Sequence, residues 1–534
     1  MALARSGLLG PYRPDHLCAM AKAARRWGLN LGVLFAWGAA QGADRVALVD
    51  DEGTLTYGEM DARSDTVAAA LAEMGVGTAP VAVLARNGRG FLVALVALGK
   101  LGADTVHCNT GFSGPQLRQV LAHEGVATLI ADAEFLPLVG DAPVQVVLTG
   151  EPVAPATASF GAMLAGGPRN GPHRPGRAGR QVILTSGTTG APKGAQRNLG
   201  ADMGPLVALL SCIPLRTGDT TVVAAPMFHS WGLANSGTGL LFGMRLVTSG
   251  RFDPEHTLEL IAAHRARVLI AVPAMIQRIM ELPTALRLRH DCSSLRVVAL
   301  SGSSIPGDLA QRFMDEFGEV VYNLYGSTEV GWISIATPAD LRAAPRCAGR
   351  VPPGTSVRLL DERGQEVAAG DTGRIFVRSG LLFDGYTGGD TKTVIDGYMS
   401  TGDLGHFAGR RLFVDGRDDE MIVSGGENVF PIEIEDLLST QPGVAEVAVI
   451  GVDDRAFGQS LHAFVVPLEG SDLDPRALLD VVGHQLARYK VPRALTFVDQ
   501  LPRTATGKVR KAELHVLAGS KGRASSRGRA AGLR

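Results

Sequence analysis

Residues Gln181 to Arg197 read QVILTSGTTGAPKGAQR. Thr185, Ser186, Gly187, Thr188, Thr189 and Gly190 follow one another with little side-chain bulk. Backbone N–H groups in such a run can turn into one concavity and hold an anion. The hydroxyls and Lys193 add donors and positive charge, so the stretch suits a polyphosphate. It is not a Walker A loop, which needs Gly-Lys followed by Ser or Thr. Here Lys193 precedes Gly194 and Ala195, while Gly99-Lys100 and Gly507-Lys508 run into Leu101 and Val509.

Five further segments carry residue types that could do chemistry. Pro226-Met227-Phe228-His229-Ser230-Trp231 surrounds one histidine with apolar bulk; alone, such a histidine is more often structural than functional. Asn323-Leu324-Tyr325-Gly326-Ser327-Thr328-Glu329 follows an apolar strand. Its aromatic ring could stack on a purine, and its carboxylate could hold a hard cation such as Mg2+. Asp403 sits in Ser400-Thr401-Gly402-Asp403-Leu404-Gly405, a pattern that by itself is turn chemistry. Ser424-Gly425-Gly426 permits close backbone approach. Pro502 to Lys511, PRTATGKVRK, reads as a basic loop.

Taken together and in this order, these segments resemble the acyl-adenylate-forming family: acyl-CoA synthetases, luciferases and the adenylation domains of peptide synthetases. The resemblance spans roughly residues 45 to 515. It implies that Thr185 to Gly190 and Lys193 hold the β- and γ-phosphates of ATP, with Thr185 and Glu329 at Mg2+. Gly302, Ser303 and Ser304 form one adenine wall; Tyr325 stacks on the other face, beside Asn323 and Gly326, and Thr328 contacts the α-phosphate. Asp403 and Arg417 hold the ribose. Lys508 is the catalytic lysine, and a compact ammonium there neutralises the attacking carboxylate and the α-phosphate. His229 lies beside the carboxylate. Asp419 is the hinge about which a small domain turns, and Ser424, Gly425 and Gly426 then line the passage for CoA. Gly373-Arg374-Ile375 departs from the family by placing Arg where many members carry Glu.

Those residues need a scaffold. Strands and helices alternate from Val46 to about Tyr325, which predicts an α/β fold with mostly parallel sheets. Short strands between Gly- and Asp-rich turns after Gly331 predict a small β-rich subdomain, and the pattern after Gly416 predicts a compact α+β unit. The expected division is 1–416 as the large N-terminal domain, 417–518 as the small mobile C-terminal domain with the catalytic lysine, and 519–534 as a disordered basic tail.

The 534 residues leave room for more than one core. With 52 Lys and Arg against 53 Asp and Glu, no global field favours nucleic acid. The five cysteines lie far apart, which argues against a zinc site or disulfide framework and fits a cytoplasmic protein. The amphipathic stretch His16 to Ala40 suits packing on the protein body, with peripheral membrane contact as the alternative.

The expected activity is activation of a medium- to long-chain fatty acid with ATP and Mg2+, then transfer to CoA. The small residues Gly232, Ala234, Ser236, Gly237 and Gly239 after His229 leave room for a long chain. The alternatives are a fatty-acyl-AMP ligase that loads a carrier protein and a non-catalytic acyl- or nucleotide-binding homologue. Fatty acid, ATP and CoA are the expected partners of a monomer or homodimer.

Overall fold

The computed structural model describes residues 3, 6–8, 13–28, 30–154, 157–172, 175–186, 192–197, 204–305, 308–424, 427–454, 458–504 and 507–518. Among these residues the strands form four sheets. In the first, Val321–Ser327, Val297–Leu300, Val268–Ala271, Thr220–Val223, Arg245–Val247 and Val46–Asp50 lie side by side and parallel. Gly331–Ala336 and Gly53–Thr56 close its two edges antiparallel. These strands are short, β-branched and buried on both faces, as parallel strands under helices must be.

The second sheet runs Gln181–Ser186, Thr105–His107, Val81–Leu84, Thr128–Ala131 and Gln145–Leu148 in parallel. Pro192–Arg197 and Gly385–Tyr386 add antiparallel strands beside Gln181–Ser186. One apolar core joins the two sheets: Val83 and Ile183 of the second meet Val223, Leu246, Met227 and Phe228 of the first. The carboxyl ends of the parallel strands of both sheets therefore open near one another, the place where open α/β sheets bind ligands.

The third sheet is antiparallel and holds Ser356–Leu360, Gly373–Arg378, Tyr398–Ala408 and Arg411–Arg417. The turn Asp418–Glu420 leads from it to Ile422–Ser424, the first strand of the fourth sheet. That last sheet is covered by helices Pro431–Ser439 and Pro475–Gln485 and has its own apolar core.

The observed α/β architecture matches the expectation, with three local corrections. The phosphate stretch was expected to be loop from Thr185 through Gly194, yet Thr185 and Ser186 end one strand and Lys193 and Gly194 lie in the strand that returns. The strand expected to end at Tyr325 runs on through Gly326 and Ser327, which pair with Trp332 and Gly331. Asp403 was expected in a turn, yet it sits mid-strand opposite Arg417. In each case the ladder is completed by a partner strand, and Gly- and Ser-rich segments lack the alternation that would announce it.

The N-terminal helix Pro14–Trp27 lays Met20, Ala23 and Trp27 against the body. No helix among the described residues is long and apolar enough to cross a membrane.

Candidate active site

The site is assembled where the first three sheets meet. Thr185 closes strand Gln181–Ser186 and donates its hydroxyl to the carbonyl of Lys193 at 3.2 Å across the hairpin. Lys193 on the return strand reaches Asp390 Oδ2 at 3.2 Å and stands 5.5 Å over the ring of Tyr386. Gly187, Thr188, Thr189 and Gly190, the loop between the two strands, lie outside the described residues.

Strand Val321–Ser327 carries Asn323, Tyr325 and Gly326 to the same place. A Cβ on Gly326 would sit 2.0 Å from the carbonyl oxygen of Gly331, so the hairpin requires glycine there. The Tyr325 hydroxyl donates to Asp403 Oδ2 at 2.5 Å. Asp403 in turn lies 3.7 Å from the Arg417 guanidinium on the neighbouring strand. Burial pushes the Asp403 carboxyl up, and Tyr325, Arg417 and Lys392 partly offset it. Burial and the adjacent Asp403 charge push the Tyr325 phenol well above its ordinary value. Gly302 bends the chain after strand Val297–Leu300 with φ +100, a conformation that favours glycine, and Ser303 and Ser304 follow it.

Glu329 is 8% exposed, and its Oε1 accepts a 2.8 Å hydrogen bond from the Tyr386 hydroxyl. Burial pushes its carboxyl up. The Lys392 charge and the Tyr386 and Ser327 hydroxyls outweigh that and hold it below its usual range, so it is a carboxylate at neutral pH. Thr328 Oγ1 lies 3.5 Å from Ser230 Oγ, at the start of helix Ser230–Leu241.

His229 caps that helix, its ring 4.5 Å from Phe228. Burial, with Lys508 and His107 nearby, lowers its imidazole to about 4, so it is neutral at pH 7. The corner before it is held by Asn87, whose side chain accepts from Met227 N at 2.8 Å and donates to Ala225 O at 3.0 Å.

Lys508 arrives from the fourth sheet's unit. Its backbone N–H donates to Thr504 Oγ1 at 3.1 Å, and Thr504 N donates back to Lys508 O at 2.8 Å. The side chain is exposed but crowded by protein. That crowding and the Arg417 charge lower its pKa, while Glu329 and Asp403 raise it. The loop is seated on helix Pro273–Glu281: a Cβ on Gly507 (φ +80) would lie 2.7 Å from Ala274 Cβ. Gln277 Nε2 donates to Ala445 O at 3.3 Å, and Arg346 pairs with Asp436 at 2.6 Å. The small unit is thus docked so that the Lys508 charge is felt at Glu329, Asp403 and His229.

Tyr325, the Asp403–Arg417 pair, the hairpin of Thr185 and Lys193, and Lys508 from the fourth sheet's unit thus surround one site. Residues 35–387 match the AMP-binding enzyme family, and residues 433–508 match the AMP-binding enzyme C-terminal domain. The chain belongs to the AMP-binding enzyme family. It is 35% identical to the indoleacetate–CoA ligase of Aromatoleum aromaticum over 495 residues, covering 89% of this chain and 96% of that one. It is 30% identical to the fatty acid–[acyl-carrier-protein] ligase ScoC of Streptomyces coeruleorubidus, over 88% of this chain and 92% of that one. Its fold matches the anthranilate CoA ligase AuaEII, in complex with anthranoyl-AMP, with TM-score 0.84 and 25% identity over 92% of this chain and 98% of that one. This AMP-binding enzyme is an AMP-forming CoA ligase, with ATP, Mg2+ and CoA as its co-substrates and cofactor.

The residues fit those groups. Among the described residues there is no cluster of three or more His, Cys, Asp or Glu that could cage a metal ion. A single buried carboxylate beside a phosphate cradle is instead the arrangement Mg2+ uses, because it keeps waters and takes phosphate oxygens as ligands. Ser424 is 8% exposed at the end of Ile422–Ser424, while Gly425 and Gly426 lie outside the described residues. The hinge candidate Asp419 falls in the turn Asp418–Glu420, between the third and fourth sheets.

Sequence reasoning missed Asn87, Tyr386, Asp390 and Lys392. Lys392 donates to Thr401 O at 2.8 Å and supplies positive charge to both Glu329 and Asp403. The last three lie in a short Gly- and Thr-rich stretch that reads as a turn. The ladder with Pro192–Arg197 places Tyr386, the bond from Tyr386 N to the Asp390 carbonyl places Asp390, and the bond to Thr401 O places Lys392.

Proposed function

We propose that the enzyme activates an aromatic carboxylic acid bearing a polar ring group, forming its acyl-AMP and then its CoA thioester. The observation that carries this reading is a set of buried polar atoms without a partner: His107 Nδ1, His229 Nε2 and Ser236 Oγ. They belong to elements around His229. His107 ends a strand between Val83 and Ile183 on the face toward the first sheet, and Ser236 lies two turns beyond His229 on the same helix. Leaving such atoms unpaired costs about 1–3 kcal/mol each. An alkyl chain would leave them so, whereas a ring nitrogen, amine or hydroxyl would satisfy them. The relatives named for indoleacetate and anthranilate point the same way.

A carboxylate is a poor acyl donor because its leaving group would be oxide. Attack of its oxygen on the α-phosphorus of ATP forms the mixed anhydride and expels pyrophosphate. Alignment and charge neutralisation supply the catalysis. In this reading Thr185 to Gly190 and Lys193 hold the β- and γ-phosphates, Glu329 holds Mg2+, and Thr328 contacts the α-phosphate. Tyr325 and Gly302 to Ser304 flank adenine, while Asp403 and Arg417 hold ribose. Lys508 bridges carboxylate and α-phosphate. Residues 417–518 then rotate about Asp419, Lys508 withdraws, and Ser424 to Gly426 admit the CoA thiol. The thiol adds to the anhydride carbonyl, loses its proton to solvent and displaces AMP.

A medium- to long-chain fatty acid, delivered to CoA or to a carrier protein, is the second reading. The similarity to ScoC favours it, as do the small residues after His229. A panel of indoleacetate, anthranilate, ferulate and C8–C18 acids, with ATP and with or without CoA, separates the two by product mass. Aryl-CoA formed at least tenfold faster than any fatty acyl-CoA is expected. Faster turnover of the C8–C18 acids would overturn the aromatic reading, and acyl-AMP accumulating despite CoA would favour carrier loading.

A further inference from the structure

Tyr386 has no part in the reaction as described, yet it touches both halves of the phosphate site. Gly385–Tyr386 is the edge strand beside Pro192–Arg197, with Tyr386 opposite Ala195 and Gly385 opposite Gln196. Asp384 N donates to Gln196 O at 3.0 Å, and Thr387 N to Gly194 O at 2.9 Å. The same segment grips Glu329 twice: Phe383 N donates to its backbone carbonyl at 2.7 Å, and the Tyr386 hydroxyl to its Oε1 at 2.8 Å. Lys193 stands over the Tyr386 ring, and Asp390, which pairs with Lys193, accepts from Tyr386 N at 2.9 Å. The ring itself is wedged edge-on against Phe383, with centroids 4.9 Å apart.

We propose that Tyr386 is a positioning residue that orients Glu329 for the cation of Mg·ATP and sets that carboxylate in register with the phosphate hairpin. The proposal rests on the assignment of Glu329 to Mg2+. A carboxylate on a flexible side chain offers a cation many geometries. One oxygen held by a hydroxyl leaves the other fixed in direction, which is how partners of a ligating carboxylate raise metal affinity. Because the donor's backbone is laddered to the strand of Lys193, the cation's carboxylate and the phosphate lysine move as one piece.

The test is ATP binding to the whole chain by calorimetry, without acid substrate, once with Mg2+ and once with EDTA. The ratio of the two affinities measures the cation's share. Tyr386→Phe keeps the ring, the contact with Phe383 and the Lys193 contact, and removes only the hydroxyl. It should shrink the ratio roughly tenfold or more, leaving ATP affinity in EDTA and the melting temperature near those of the unsubstituted chain. Glu329→Gln should shrink the ratio further, and adding Tyr386→Phe to it should change nothing more, since the two act through one contact. If Glu329→Gln shrinks the ratio and Tyr386→Phe does not, the proposal is overturned while the metal assignment stands. If Glu329→Gln leaves the ratio intact, the metal assignment fails and takes the proposal with it. Equal loss of affinity with Mg2+ and EDTA in Tyr386→Phe would show general damage to the nucleotide site and would also overturn it.

Discussion

Lys508→Ala should slow acyl-AMP formation by about 10²–10³-fold, the range seen when one preorganised donor to a developing anion is removed. The expectation rests on where the ammonium sits. Its charge interacts with Glu329, Asp403 and Arg417, the groups proposed to hold the cation and the ribose. Its charge is also felt at His229, beside which the acid's carboxylate is proposed to bind. Two negative groups must approach there, the carboxylate and the α-phosphate. Without Lys508 their repulsion falls on the reacting pair itself. The second half-reaction has no such requirement once the small unit has turned. Purified acyl-AMP plus CoA should therefore give thioester at a rate within about threefold of the unsubstituted enzyme. Pyrophosphate release measures the first step and thioester appearance the second. An equal loss in both would mean that Lys508 supports the fold or the nucleotide in general, and would remove it from the chemistry.

That selectivity depends on the loop's seating as much as on its charge. Gly507 fits against Ala274 because it has no Cβ, and its left-handed backbone suits glycine. The Thr504–Lys508 turn is closed by hydrogen bonds in both directions.

The residues that could be read from sequence are those proposed to meet the substrate, because their types follow from its chemistry. Phosphate calls for the small residues and lysine of 185–193, a hard cation for Glu329, and adenine for a ring such as Tyr325. The structure joins Tyr325, Asp403 and Arg417, sets Lys193 and Glu329 against one tyrosine, Tyr386, and brings the Lys508 charge to bear on Glu329 and Asp403. The alternation of strand and helix before residue 330 was equally legible, since buried parallel strands announce themselves by apolar runs.

What stayed hidden were groups that act on other side chains. Tyr386 meets Glu329 across 57 positions of sequence, Tyr325 meets Asp403 across 78, and Asn87 meets Met227 across 140. No local pattern encodes such pairings. Substrate class was hidden for a related reason. Small residues after His229 signal room but not polarity, and only burial shows that His107 Nδ1 and Ser236 Oγ lack partners. The expectation of a fatty acid came from counting space. The aromatic reading comes from counting unmet hydrogen bonds.

Lys100→Met should destabilise the large domain by about 3–5 kcal/mol, the cost of breaking a buried ion pair from one side. Lys100 is 0% exposed, although it reads in sequence as one more Gly-Lys pair. Its ammonium reaches Asp61 Oδ1 at 2.7 Å, Asp65 Oδ1 at 2.5 Å and Ser64 Oγ at 2.8 Å, so each of its three N–H groups has an acceptor. The acceptors lie on the helix Tyr57–Glu73 and the lysine on Arg89–Leu101, so the contact clamps two helices. Trp27, 2% exposed, places its ring 5.0 Å from the same ammonium and ties the N-terminal helix to the clamp. Methionine preserves most of the volume, so a loss on this scale reports the stranded carboxylates and not a cavity. Denaturant unfolding followed by tryptophan fluorescence measures it. Adding Asp65→Asn to Lys100→Met should recover part of the loss, because it removes one of the two facing charges. A Lys100→Met chain within about 1 kcal/mol of the unsubstituted one would mean that burial of the ammonium costs nearly what its partners return, as continuum arguments allow for buried pairs. In that case the Trp27 packing alone would hold the N-terminal helix in place.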